Sequence, residues 1–99
     1  MKILGFEWDA RNLGKVRHHE FEAEDIEALF ADGDPLVFPH PSIRGRHIAL
    51  GFVPDGQFVL AVFEHDSNTR WVRVVTAYEP THEGWWKRYE ETKRRKKGH

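Results

Sequence analysis

Residues 47–78 read HIALGFVPDGQFVLAVFEHDSNTRWVRVVTAY, and the fold is decided there. His47 to Val53 alternates, with Ile48, Leu50 and Phe52 on one face, the period of a half-buried strand. Pro54-Asp55-Gly56 supplies a hairpin turn. Phe58 to Phe63 is apolar at both parities, as a central strand covered on both faces must be. Asp66-Ser67-Asn68-Thr69 makes the next turn, and Trp71 to Tyr78 forms a third long strand. Short turns join neighbouring strands antiparallel, so this stretch predicts a meander.

Upstream of it, Ile3 to Trp8 reads as a short strand. Asp9 is an N-cap residue for a helix from about Ala10 to His18, with Leu13 and Val16 turned inward and Gly14 weakening it. A second helix covers Ala23 to Ala31, where Ile26, Leu29 and Phe30 form one stripe, and Asp32-Gly33-Asp34-Pro35 stops it. Leu36 to Phe38 fits an extra edge strand ahead of the turn-rich Pro39-His40-Pro41-Ser42. Downstream, Pro80 breaks the last strand, Thr81 caps, and Glu83 to about Lys96 forms a final helix docked through Trp85 and Tyr89. The expected order is β-α-α-β-β-β-α. This is an α+β class in a single domain, residues 1–99: an antiparallel sheet with two N-terminal helices and a C-terminal helix.

The chain has 99 residues, 39% of them hydrophobic, enough for one core. There is no cysteine, which excludes disulfides, thiol nucleophiles and thiolate metal sites and suits a reducing cytoplasm. The chain carries no apolar run of membrane-spanning length, and its first residues lack the apolar core of a signal peptide. The expectation is a cytoplasmic protein. The net charge of −1 hides an asymmetry. Seven acids (Glu20, Glu22, Glu24, Asp25, Glu27, Asp32, Asp34) sit together without a base between them. The remainder holds fifteen Lys and Arg against nine acids. A cationic surface attracts polyanions such as RNA; the plainer reading is a solvated acidic helix and a ragged basic tail at Lys93–Lys97.

Phe6-Glu7-Trp8-Asp9 followed by Asn12, Lys15 and His19 resembles the opening of the BrnT toxin family. The likeness continues through Glu24, Ile26, Glu27 and Phe30, through Arg46 to Gly51, Phe58 to Glu64 and Arg73-Val74-Val75-Thr76-Ala77, and reaches Tyr89. It spans almost the whole chain. The resemblance implies a RelE-like fold, ribonuclease activity and neutralisation by a ribbon-helix-helix antitoxin. Four positions depart from the family pattern: His18 stands for Lys, Glu20 for Gly, and His65 and Tyr78 each for Arg.

Metal-independent RNA cleavage needs a base for the ribose 2′-hydroxyl, cations for the phosphate and an acid for the leaving oxygen. His19 is the first candidate acid or base, near a helix C-terminus where the dipole favours positive charge; dipole compensation alone is the alternative. Lys15, one turn earlier, is a candidate phosphate contact or a plain solvated lysine. Arg46 and Arg73 are candidate clamps, since guanidinium is planar, always charged and bidentate; cross-strand ion pairing is the alternative. Glu64 is a base, an orienting group or a salt-bridge partner. His65 is a second candidate proton carrier. Tyr78 donates a proton, stacks on a base, or fills the rim of the core.

Trp8, Trp71, Trp85 and Trp86 mostly serve the core of so small a domain. Trp85 and Trp86 are adjacent, so one should stay exposed or meet the antitoxin, and both are candidate partner contacts. Seven histidines show none of the familiar metal spacings, and no metal or cofactor is expected. Two functions remain open: an endoribonuclease toxin, or a toxin-like binding module that docks an antitoxin or RNA without cutting.

Overall fold

The computed structural model describes residues 1–97, with side chains through Arg95, so the basic run Lys93–Lys97 lies partly outside the described residues. The chain runs β1 (Gly5–Glu7), α1 (Ala10–His18), α2 (Ala23–Asp32), β2 (Leu36–Pro39), β3 (His47–Phe52), β4 (Phe58–His65), β5 (Trp71–Tyr78) and α3 (Glu83–Lys97). The extra edge strand is present as β2. The five strands form one sheet in the order β1-β5-β4-β3-β2.

The stretch from β2 to β5 is antiparallel throughout, as the turns dictate. The purely antiparallel sheet is corrected at one edge. There β1 pairs parallel to β5, with Gly5 opposite Trp71 and Glu7 opposite Arg73, so the sheet is mixed. No tight turn joins β1 to β5, so nothing forces them antiparallel. The segment covers an edge that would otherwise expose unpaired backbone groups. Gly5 allows the pairing, because a Cβ there would sit 2.9 Å from the Trp71 ring.

Each sheet face carries its own apolar cluster. On one face α1, α2 and the turn between them place Val16, Phe21, Ile26 and Leu29 over Val59, Ala61, Phe63, Val72 and Val74. Each fully buried side chain of this size contributes about 1.5–3 kcal/mol. On the other face α3 lays Trp85 and Tyr89 against the cluster of Phe38, Ile48, Leu50, Leu60 and Val62. The rings of Phe52, Phe58, Trp86 and Tyr89 meet one another at centroid distances of 5.3 to 6.0 Å. Trp85 stacks on Phe38 at 6.0 Å, and the Arg88 guanidinium lies 3.7 Å from the centre of the same Phe38 ring. Both tryptophans therefore reach the sheet, and Trp86 keeps 41% of its surface exposed. The cap of α3 also differs from expectation. His82 takes that place instead of Thr81, its Nδ1 accepting from the Gly84 N–H at 3.0 Å.

Helix α1 is fixed at both ends. Asp9 accepts from the N–H groups of Arg11 and Asn12, and the Asn12 side chain accepts from the Asp9 N–H at 2.8 Å. This reciprocal box satisfies donors that a helix start leaves unpaired. At the other end the Phe21 N–H bonds the Val16 carbonyl and the Glu20 N–H bonds that of Arg17, a Schellman closure. Such a closure needs a left-handed residue, and Glu20 fills it with φ 68°. A side chain pays a steric penalty there that glycine avoids. Glu20→Gly should therefore stabilise the fold by about 0.5–1 kcal/mol after its larger unfolded-state entropy is counted. In a thermal melt that is a rise of roughly 2–8 °C. A lower melting temperature would show that the Glu20 side chain compensates its own strain.

Candidate functional site

Because α3 covers only one end of its sheet face, the other end stays open. Strand alternation puts Glu64 of β4 and Arg73 of β5 directly opposite one another on that face. Arg46, just before β3, joins them, and α1 walls the side with Arg11, Asn12 and Lys15. With Val75 these residues line one depression of about 210 Å³. A β-bulge shapes its floor. Val62 faces Thr76 while Phe63 faces Val74, so β5 carries one extra residue, Val75. Bulges bend a strand and re-aim its side chains. Here Val75 lines this depression and Thr76 lines a second, open one beside it.

Asn12 anchors the wall. Among the described residues it is the one polar side chain that is buried, 2% exposed. Its Nδ2 donates to the Glu7 carbonyl and, across 62 residues, to the Val74 carbonyl, both at 2.9 Å. Those are the points where β1 leaves the sheet and where β5 continues without it. One amide thus fixes α1 against β5 and places Arg11 and Lys15 over the depression.

The cations on the sheet are held by carboxylates. Arg73 reaches Glu7 Oε1 at 3.2 Å through Nη1 and Asp9 Oδ2 at 2.9 Å through Nη2. Arg46 Nε stands 3.5 Å from Glu64 Oε2. The Asn12 backbone N–H, and after it the Arg73 guanidinium, hold the Asp9 carboxyl below the usual carboxylate range. Asp9 raises Arg73 in turn. These pairs are partly open to solvent, with Arg73 29% and Arg46 32% exposed, so water screens them and an incoming anion can compete for the guanidinium groups.

The remaining expected site residues divide. His19 lines the second depression with Arg11, Gly14, Lys15, His18 and Thr76. Arg11 and Lys15 border both depressions, which makes them one continuous groove. Tyr78 does not line either; its ring lies 5.8 Å from that of His19 and packs on the cluster beneath α3. His65 is corrected. As the strand neighbour of Glu64 it points to the opposite face, beside Val72 in register, and its Nε2 contacts the Lys2 carbonyl at 3.1 Å. It therefore does not line the groove. No group of three or more His, Asp or Glu among the described residues is placed to hold a metal ion.

Sequence reasoning passed over Arg11, His18 and Thr76. Arg11, Lys15 and His18 stand at i, i+4 and i+7, one helix face, so their grouping was available from spacing. Thr76 joins through the bulge, which leaves no mark in the sequence. No family model matches the chain, and no curated protein matches it. No helix among the described residues is long and apolar enough to cross a membrane.

Proposed function

We infer that this protein is a metal-independent endoribonuclease toxin of RelE-like fold, akin to the BrnT family and acting in the cytoplasm. The observation that carries the reading is that Lys15, Arg46, Glu64 and Arg73, far apart along the chain, line a single depression. Three cations around one carboxylate suit a phosphodiester with a base beside it. In this reading Arg46, Arg73 and Lys15 hold the phosphate and stabilise its added charge. Glu64 takes the ribose 2′-hydroxyl proton, and the 2′-oxygen attacks phosphorus. The bond to the 5′-oxygen breaks as His19 protonates the leaving group, and a 2′,3′-cyclic phosphate remains. An antitoxin of the ribbon-helix-helix type would cover α3, where Trp86 offers an exposed anchor beside Trp85.

A second reading is favoured by two observations. Both arginines are already engaged by carboxylates, and His65 faces away. The chain would then bind RNA or an antitoxin without cutting. Single-stranded RNA incubated with the purified chain in EDTA separates the two. The nuclease leaves cyclic-phosphate ends, and a 2′-deoxy nucleotide at the cleaved position blocks the cut. Overexpression should arrest growth, and His19→Ala should relieve the arrest with folding intact. Harmless overexpression and binding without cleavage would select the second reading.

A further inference from the structure

We propose that Arg11 forms a second phosphate subsite, one helical turn from the Lys15 that shares the first with Arg46 and Arg73, and that it carries the RNA strand along α1, away from the acidic end of the groove. The proposal rests on the nucleic-acid reading above and adds a direction and a residue to it. Arg46 and Arg73 are paired with carboxylates, whereas Arg11 and Lys15 form no ion pair with any described residue. Both border the two depressions of the groove. Their spacing of four residues sets them about 6 Å apart along the helix, so one extended strand can meet both.

The placement of Arg11 argues against a purely structural role. It lies in the first turn of α1, which holds no acidic residue. The helix dipole disfavours a cation there, so folding gains nothing electrostatically from an unpaired arginine at this position. The other end of the groove has the opposite sign. Beyond Arg73 the lining is Glu7, Glu64, Asp66, Thr69 and Trp71, and three carboxylates repel a phosphate backbone. Charge thus gives the groove a polarity, and phosphates extend only over α1.

The test uses the full chain and 2′-O-methyl oligouridylates, which keep the phosphates but lack the attacking hydroxyl. A fluorescein-labelled pentamer is titrated by anisotropy between 50 and 200 mM salt. Each phosphate contact contributes about 0.7 to the slope of log affinity against log salt for single strands. Arg11→Ala should lower the slope by about 0.7 and weaken binding about five-fold at the low-salt end. It should melt no lower than the parent. Lys87→Ala, a cation on α3 paired with Glu83, serves as the control and should leave the slope unchanged. As a competitor, the trinucleotide should outdo the dinucleotide for the parent, and Arg11→Ala should erase that advantage. If the parent binds the pentamer but Arg11→Ala behaves like Lys87→Ala, the second subsite is wrong and the nucleic-acid reading stands. If the parent binds no RNA, both fall.

Discussion

Asn12→Ala is expected to lower the unfolding free energy by about 3 kcal/mol, the largest effect of any single polar substitution in this fold. The Asn12 amide serves two carbonyls, those of Glu7 and Val74, and the bond to Val74 is buried. Alanine leaves both acceptors without that donor, and an unsatisfied buried polar group costs about 1–3 kcal/mol. The Asp9 N–H also loses its acceptor, which removes half of the capping box. A domain of this length holds a total stability of roughly 5–15 kcal/mol, so the variant forfeits roughly a fifth to three fifths of the whole. Urea unfolding followed by tryptophan fluorescence measures the loss, and the melting temperature should fall by roughly 12–24 °C. Asn12→Asp keeps the size and the acceptor for Asp9 but turns a carboxylate toward two carbonyl oxygens. It should be at least as damaging, which separates loss of the donor from loss of packing. A loss under about 1 kcal/mol in the alanine variant would mean that water replaces the amide without penalty.

Asn12 also marks the boundary of what the sequence discloses. Its residue type and place in the first turn were legible, yet a bond spanning 62 residues leaves no local pattern. The strands β3 to β5 were readable because hydrophobic alternation and turn residues are local signals, and their ends lie within two residues of expectation. The parallel pairing of β1 was not readable. Three residues are too few to show a face, and strand direction depends on which edge stands open. The site divides along the same line. Alternation alone places Glu64 and His65 on opposite faces, so it was legible in the sequence that one surface does not hold both. Convergence of Lys15, Arg46 and Arg73 required the sheet order, and the inclusion of Thr76 required a bulge.

Arg73 decides whether the groove is a phosphate clamp or a set of ion pairs, and two substitutions at this position divide the possibilities. If the groove cleaves RNA, Arg73→Ala should reduce the cleavage rate by about 100- to 1,000-fold, the usual cost of removing one donor aimed at developing transition-state charge. That result alone is ambiguous, because alanine also leaves Glu7 and Asp9 without their shared partner, and the start of α1 would loosen. Arg73→Lys restores the positive charge between these carboxylates. If neutralising them were the whole task, lysine would recover both the melting temperature and the rate. A clamp asks for more. Guanidinium presents parallel N–H groups in one plane, and an ammonium cannot reproduce that fork. The lysine variant should therefore melt close to the parent while remaining about 100-fold slower, with the deficit in kcat more than in KM, since the added charge appears only in the transition state. Full recovery of the rate by lysine would make Arg73 a structural cation and leave Arg46 and Lys15 to hold the phosphate.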